Sequence, residues 1–487
     1  MQTRAEGSAT GAALAPLCVD LDGTLLRSDS LYECLAAALR RPWLLLRLPL
    51  WLLRGKASFK AEISKRVTLN SAALPFHNGV LQLLHNARGN GRKIVLATGA
   101  DRKIAMQTAT HLAIFDEVIA SDGVHNLSGE GKAEVLRARF GAYRFSYVGN
   151  ARSDIAIWRS ASSAVIVGMS RRQANRIAAF TSVEAHLPRG SRIRSFIRLL
   201  RPYQWCKNLL VFVPIVTANA LSDRTAWIRC AGLFVALSLM ASVLYVFNDI
   251  VDLESDRLHP IKRKRPLASG DFPLSLSFGA VPVGLAAAIA IAVALKVLPE
   301  VLLYGIASFV YSIGLKRFPL VDLFLLAAIY SVRLLAGGVV SGHFVSFWLF
   351  SFSCFLFFSL ATIKRVSELL LLQEQARVNS SRGYRPGDIF TLQAMGISSS
   401  FVSCLVLALY VQSPTVTQNY RSPELLWAQV VLILFWQCRL WLSTIRGHIH
   451  DDPIVFAGKD WVSWLVAVLI LLAMLLANSN LSKLVSP

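Results

Sequence analysis

The sequence predicts a multidomain protein in two parts: an N-terminal α/β domain on a Rossmann-like parallel sheet, then an all-α polytopic membrane domain. Three observations predict this. The 487 residues are 54% hydrophobic with a mean hydropathy of +0.50, too apolar for an ordinary soluble globule and too long for one small domain. The texture changes near Arg201: before it, short apolar runs alternate with polar segments; after it, long charge-free segments dominate. The formal net charge of +22, on so apolar a chain, fits basic loops facing anionic lipid and phosphate better than nucleic-acid binding.

In the first part, residues 1–190, the runs Leu17–Leu21, Ile94–Ala97, Tyr147–Gly149 and Ala164–Val167 read as buried strands with helices between them. The seven cysteines are scattered without a CxxC pair, which argues against a zinc site or a disulfide framework. The opening MQTRAEGSATGAALAPLC has no long apolar core and does not read as a cleaved signal. Arg40–Arg54, RRPWLLLRLPLWLLR, is too short and too charged to span a bilayer. It reads either as a helical cap packed on the α/β domain or as an interfacial helix resting on the membrane.

In the second part, residues 195–487, about nine apolar segments approach the length a bilayer needs. Lysines and arginines cluster before the first segment and after the second, fourth and sixth, as at Arg257–Arg265, Lys316–Arg317 and Lys364–Arg385. By the positive-inside rule these loops and the N-terminal domain are cytoplasmic.

The stretch NDIVDLESDRLHPIKRKRPLASG, residues 248–270, follows the charge-free Cys230–Phe247. Asn248, Asp249, Asp252 and Asp256 recur at helical spacing and share one face. Carboxylates gathered there repel unless a cation lies between them, and Mg²⁺ bridging to phosphate oxygens suits them. The following Lys262 and Arg265 can hold further phosphate charge. A solvated topogenic loop needs no such ordered carboxylates.

N-D-x-x-D-x-x-x-D after the second span resembles the signature of the UbiA-type intramembrane prenyltransferases. The segments RPYQWCKNLLVFVP (201–214), HPIKRKRPLASG (259–270), YSIGLK (311–316), IKRVSE (363–368) and DDPIVF (451–456) are similar to the decaprenyl-phosphate phosphoribosyltransferase branch. The resemblance implies nine helices around a cavity. It also implies a reaction in which phosphoribosyl pyrophosphate is the donor and a polyprenyl phosphate lipid the nucleophile. Asn248, Asp249, Asp252 and Asp256 would then form the Mg²⁺–diphosphate site, with Asp249 and Asp252 catalytic. Lys262, Arg265, Tyr311, Lys316, Lys364, Arg365 and Glu368 would bind substrate. Asp322 and Arg333 should face the cavity or its mouth, because a charge in an apolar segment is costly.

VDLDGTLL, Val19–Leu26, resembles the first motif of the haloacid dehalogenase superfamily. The resemblance implies that Asp20 attacks phosphorus and that Asp22 acts as acid and base. VLATG supplies Thr98 for the phosphoryl group, GEGKAEVL supplies Lys132, and YVGNARSDI supplies Asn150 and Asp154; Asp20, Asp22 and Asp154 would hold Mg²⁺. Asn150 stands where this motif usually has Asp, which weakens the expected metal site. Residues 28–75 form the helical cap insert.

Together these readings imply a bifunctional enzyme of bacterial cell envelope biosynthesis, in the inner membrane. It would make polyprenyl-phosphoryl-5-phosphoribose and remove the 5-phosphate, with Mg²⁺ as cofactor, the bilayer as partner and no nucleic acid. The alternative is an aromatic, quinone-type prenyltransferase with a regulatory or inactive phosphatase-like domain. Oligomeric state is not readable from the sequence.

Overall fold

In the computed structural model, which describes residues 14–53, 55–122, 127–374, 383–414, 416, 420–449 and 452–478, the first apolar run forms β1 (Leu17–Val19). It lies between β2 (Ile94–Asp101) and β4 (Ser146–Gly149), parallel to both. Leu17 and Val19 pack with Leu96, Val148 and Val165 on one face; Cys18 packs with Val95, Tyr147 and Ala164 on the other. Both faces are covered, so the strand reads as a continuous apolar run rather than an alternating one. β3 (Glu117–Ser121), β5 (Ser163–Val167) and β6 (Ser182–Leu187) complete a parallel sheet of order β3-β2-β1-β4-β5-β6. The chain leaves β1 in one direction and returns to β4 in the other. That reversal opens a crevice at the C-terminal ends of β1 and β4, where such sheets bind ligands.

Residues 28–75 contain four helices, Ser30–Ala38, Pro42–Leu45, Leu48–Leu53 and Lys56–Arg66. Asp29 caps the first by accepting from Leu31 N. The apolar run divides by face: Leu44 and Trp51 join Phe59 and Ile63 in the core, while Trp43, Leu46, Leu50 and Leu53 are exposed.

The chain divides into two compact units, Met1–Leu200 with Tyr245–Val281, and Arg201–Leu244 with Pro282–Pro487. The acidic stretch therefore belongs to the first unit. There Ala36 and Leu199 pack with Val246, Ile250, Leu267 and Phe272, and the Tyr32 and Phe278 rings lie 5.8 Å apart.

Seven described helices are long and apolar enough to cross a bilayer: Arg224–Val251, Leu274–Ala294, Val321–Ser341, Phe347–Gln373, Pro386–Val411, Pro423–Ile445 and Trp461–Asn478. Leu298–Ile313 is apolar but shorter. The expected first span is instead a 3₁₀ run, Pro202–Phe212, followed by the five-residue helix Val213–Thr217. Pro214, inside this stretch, lacks the N–H that a continuous α-ladder needs. The expected count of nine is thus not reached among the described residues.

Candidate functional site

The crevice at the ends of β1 and β4 gathers one set of predicted residues. Asp20 follows β1 directly and its backbone N donates to Val148 O at 3.0 Å. Lys132, from the helix Glu130–Phe140, reaches Asp20 Oδ1 at 2.8 Å and Tyr147 Oη at 3.0 Å. Burial would lower this ammonium, but Asp20 and Asp154 outweigh it and hold Lys132 above its ordinary value. Asp22 accepts from Ser30 N (2.8 Å) and Ser30 Oγ (3.1 Å) at the start of the first cap helix. Its carboxyl is pushed up to about 7 by burial, then by Asp29 and Asp20. Asp154 accepts from the backbone N of Asn150 (3.0 Å) and Ala151 (2.9 Å) and is pushed up to about 6 by burial and by Asp20. Thr98 is fully buried at the end of the β2 core, its Oγ1 accepting from Ala100 N.

Among the described residues no group of three or more His, Cys, Asp or Glu side chains is placed to hold a metal ion. Mg²⁺ needs fewer: one or two carboxylates, completed by water and substrate oxygens. Desolvation and like charge raise the Asp22 and Asp154 carboxyls, so they hold protons that a cation would displace. That donor set fits Mg²⁺, although Asn150 contributes no charge to it.

The acidic stretch behaves differently. The helix Arg224–Val251 carries Asn248 and Asp249 at its end, Asp252 follows, and Asp256 lies on the short helix Leu253–Leu258. One guanidinium nitrogen, Arg265 Nη1, donates to Asp249 Oδ1 at 3.0 Å and to Asp256 Oδ2 at 2.6 Å. Arg265, expected to hold phosphate, is therefore engaged by the carboxylates themselves, which converge on one guanidinium nitrogen. Burial pushes the Asp256 carboxyl up, Arg265 pulls it down, and Asp249 raises it. Asn248 and Asp252 are half-buried beside them, and Lys262 is exposed in the turn Lys262–Lys264. The two carboxylates are a donor set of the kind Mg²⁺ takes, and here Arg265 occupies it.

This stretch is also tied to the cap helix. Arg257 makes a two-pronged pair with Glu33, 2.9 Å from Nη1 to Oε2 and 2.6 Å from Nη2 to Oε1, both side chains buried. Ser28 donates to the same Glu33. Arg40 reaches Glu254 at 2.8 Å on the surface.

The second unit holds two polar networks in an apolar setting. Arg365 is 1% exposed and saturated: Nε donates to Asp322, Nη1 to Glu368 and Nη2 to Tyr311 Oη. Tyr384 Oη donates to the other Asp322 oxygen. Arg365, Tyr311 and Glu368, all expected to touch substrate, are thus bonded to one another, since a buried guanidinium requires its charge to be matched. Lys364 belongs to the other network. Its ammonium and that of Lys207 meet Asp452 Oδ2 at 3.0 and 2.6 Å, and Tyr330 Oη donates to the same carboxylate. Burial opposes ionisation of Asp452, yet Lys207 and Lys364 hold its carboxyl well below the usual range. Arg333 donates to Asn208 and to the Tyr304 hydroxyl, and its guanidinium lies over the Tyr304 and Tyr330 rings. Lys207, Tyr330 and Asp452 were not among the expected site residues, although Lys207 and Asp452 lie inside two of the matched motifs. Lys316 is half-buried and its neighbour Arg317 exposed. Asp451 lies outside the described residues. Between the helices Val321–Ser341, Phe347–Glu374 and Ile389–Val411 runs an almost wholly apolar groove of 650 Å³, lined by Phe324, Ala327, Phe355, Phe358 and Met395 among others.

The UbiA prenyltransferase family matches residues 209–448, and the haloacid dehalogenase-like hydrolases match residues 17–159. The chain is 36% identical to an uncharacterized protein, y4nM, of Sinorhizobium fredii, over 95% of this chain and 91% of that one. It is 30% identical to nodulation protein NoeC of Azorhizobium caulinodans, over 56% and 90%. It is also 30% identical to the decaprenyl-phosphate phosphoribosyltransferase of Mycolicibacterium smegmatis, over 55% and 88%. The chain belongs to the UbiA prenyltransferase family and carries a haloacid dehalogenase-like domain at its N-terminus. It is an integral membrane enzyme, and both families depend on Mg²⁺.

Proposed function

We propose that the chain transfers 5-phosphoribose from phosphoribosyl pyrophosphate to a polyprenyl phosphate, and that its N-terminal domain then hydrolyses the 5-phosphate. The observation that carries this reading is the convergence of Asp249 and Asp256 on one nitrogen of Arg265. Paired carboxylates with a displaceable guanidinium suit a diphosphate that arrives with its own cation. Mg²⁺ would neutralise the charge growing on the leaving diphosphate. Arg265, released by it, would take phosphate oxygens. A lipid phosphate oxygen attacks C1 of the ribose as the C1–O bond to diphosphate breaks. No general base is needed, since the nucleophile is already ionised.

The cationic surplus around Asp452, where Lys207 and Lys364 share one carboxylate, supports a phosphate anchor in the second unit, and the apolar groove suits a polyprenyl chain. In the phosphatase step Asp20 attacks phosphorus and the P–O bond to the sugar breaks. Asp22 gives its proton to the departing oxygen and then takes one from the water that hydrolyses the aspartyl phosphate. A carboxyl titrating near 7 serves both directions. The basic loops support a cytoplasmic side for both reactions, at a bacterial inner membrane.

The test is incubation of the full chain with ribose-labelled phosphoribosyl pyrophosphate and polyprenyl phosphate. Mg²⁺-dependent movement of label into lipid is expected. Label that stays in water, while a prenyl diphosphate alkylates an aromatic acceptor, would establish the quinone-type alternative.

A further inference from the structure

The first unit has a second polar pocket, which shares Gly23 and Asn150 with the phosphatase-like loops but none of their carboxylates. Gly23 and Asn150 form one wall, Gly168 and Arg189 another, and Gly270 with Asp271 a third; Arg27, His77 and Arg192 complete it. Its 70 Å³ volume exceeds the roughly 10–15 Å³ that one water needs and suits a phosphate group better than a whole nucleotide.

The charges in it do not balance. Three arginines face one carboxylate. Arg27 takes Asp271 at 3.2 Å and also donates to Ser269 O. Arg189 and Arg192 form no ion pair among the described residues. Burial, then Arg192 and Arg27, press the Arg189 guanidinium below its ordinary value. His77 Nδ1 is buried without a hydrogen-bond partner among the described residues. A cluster of arginines on an ordinary solvated face would spread apart; these line one hollow.

The walls are fixed by glycines. Gly23 and Gly270 both have φ +73, and an added Cβ would lie 2.1 Å from Asn150 Nδ2 at the first and 2.5 Å from Arg27 Cβ at the second. Side chains there would close the pocket, so its shape is built into the backbone.

We infer that this pocket binds a phosphate group through Arg27, Arg189 and Arg192, apart from the carboxylates that carry out phosphoryl transfer. Guanidinium forks match phosphate oxygens in pairs, and an anion relieves the repulsion between Arg189 and its neighbours. The phosphate belongs either to a soluble phosphoester or to a lipid headgroup. The inference rests on the first unit alone and stands whichever donor the transferase uses.

The experiment is equilibrium dialysis of the full chain, in nanodiscs of neutral lipid with EDTA, against labelled inorganic phosphate. Chelation removes Mg²⁺-dependent phosphate binding at the carboxylate centres, and the arginine variants separate this pocket from the lysines at Asp452. Saturable binding is expected, weakened about tenfold or more in Arg189→Ala and Arg192→Ala and unchanged in Thr98→Ala. Arg189→Ala should also melt higher than the parent chain without phosphate and lose the upward shift that phosphate gives the parent. Repeating the dialysis in phosphatidic acid nanodiscs separates the sources. Loss of phosphate binding there means that a headgroup fills the pocket; unchanged binding means a soluble ligand, and both keep the site. No saturable binding, binding lost in Thr98→Ala but kept in Arg189→Ala, or a lower melting point for Arg189→Ala with no phosphate response would each overturn the inference.

Discussion

The two carboxylate clusters of the first unit are built from the same residue type and handled in opposite ways. At the end of β1, Lys132 pairs with Asp20, while burial and neighbouring carboxylates raise the Asp22 and Asp154 carboxyls to about 7 and about 6. In the acidic stretch one guanidinium answers both Asp249 and Asp256. The first cluster holds protons that a cation would displace, and the second holds its own arginine. On the proposed function, the first would take free Mg²⁺ and the second a diphosphate that brings Mg²⁺ with it.

The largest effect should come from the second cluster. Asp249→Asn removes one of the two carboxylates that meet Arg265 and should lower transfer by about 100-fold or more, beyond what loss of a supporting partner usually costs, with turnover of a soluble phosphoester unchanged. Label transfer measured beside phosphate release checks this, and equal losses in both would break the separation of the two clusters.

Next is the link between them. Glu33 and Arg257 are 3% and 7% exposed, and removing one partner of a buried pair costs about 3–5 kcal/mol. Glu33→Ala should therefore destabilise the first unit strongly. Arg40→Ala, which breaks a surface pair with Glu254 at 37% and 43% exposure, should cost about 1 kcal/mol or less. Limited proteolysis of the two variants ranks them; similar resistance would mean that the buried pair does not hold the acidic stretch to the cap helix.

A smaller contrast lies in the second unit. Lys316→Ala should slow transfer more than Arg317→Ala, because Lys316 is half-buried and Arg317 exposed. Transfer rates at matched expression decide it, and a larger loss for Arg317 would reverse the assignment of that loop.

The smallest effect is one of pH. Asp22 and Asp154 have carboxyls raised above the ordinary value near 4, so the metal-free fold holds protons that the unfolded chain releases. Their stabilising contribution is present at low pH and lost as pH rises through about 6 to 7. Mg²⁺ competes for the same oxygens, so its affinity for the phosphatase centre should rise across that window with release of protons. Calorimetry in buffers of different ionisation heat measures this, and a flat profile would contradict the raised carboxyls.

Local sequence located the residues that gather at the ends of β1 and β4. Asp20 and Asp22 follow β1, Thr98 lies in β2, Lys132 is in the first turn of its helix and Asp154 ends a 3₁₀ turn, and their motifs name them. β3 and β6 were missed because EVIAS is short and SVEAHL alternates like a polar edge strand. The apolar helices were legible from charge-free length, except where Pro214 breaks the first. Least legible were the ion pairs. Arg365 looked like a phosphate ligand beside Lys364, but Asp322 and Tyr384 meet it from elsewhere in the chain, and no local pattern announces such a pairing. Asp452 looked like half of a surface turn until Lys207 and Lys364 closed on it.

The central claim is that two separate carboxylate centres in one chain act in sequence on one lipid. The most direct measurement is mass spectrometry of the lipid product made from phosphoribosyl pyrophosphate and polyprenyl phosphate by the parent chain, by Asp20→Asn and by Asp249→Asn. The account predicts polyprenyl-phosphoryl-ribose from the parent, the same lipid still carrying its 5-phosphate from Asp20→Asn, and no ribosylated lipid from Asp249→Asn. Identical dephosphorylated products from the parent and from Asp20→Asn would contradict it.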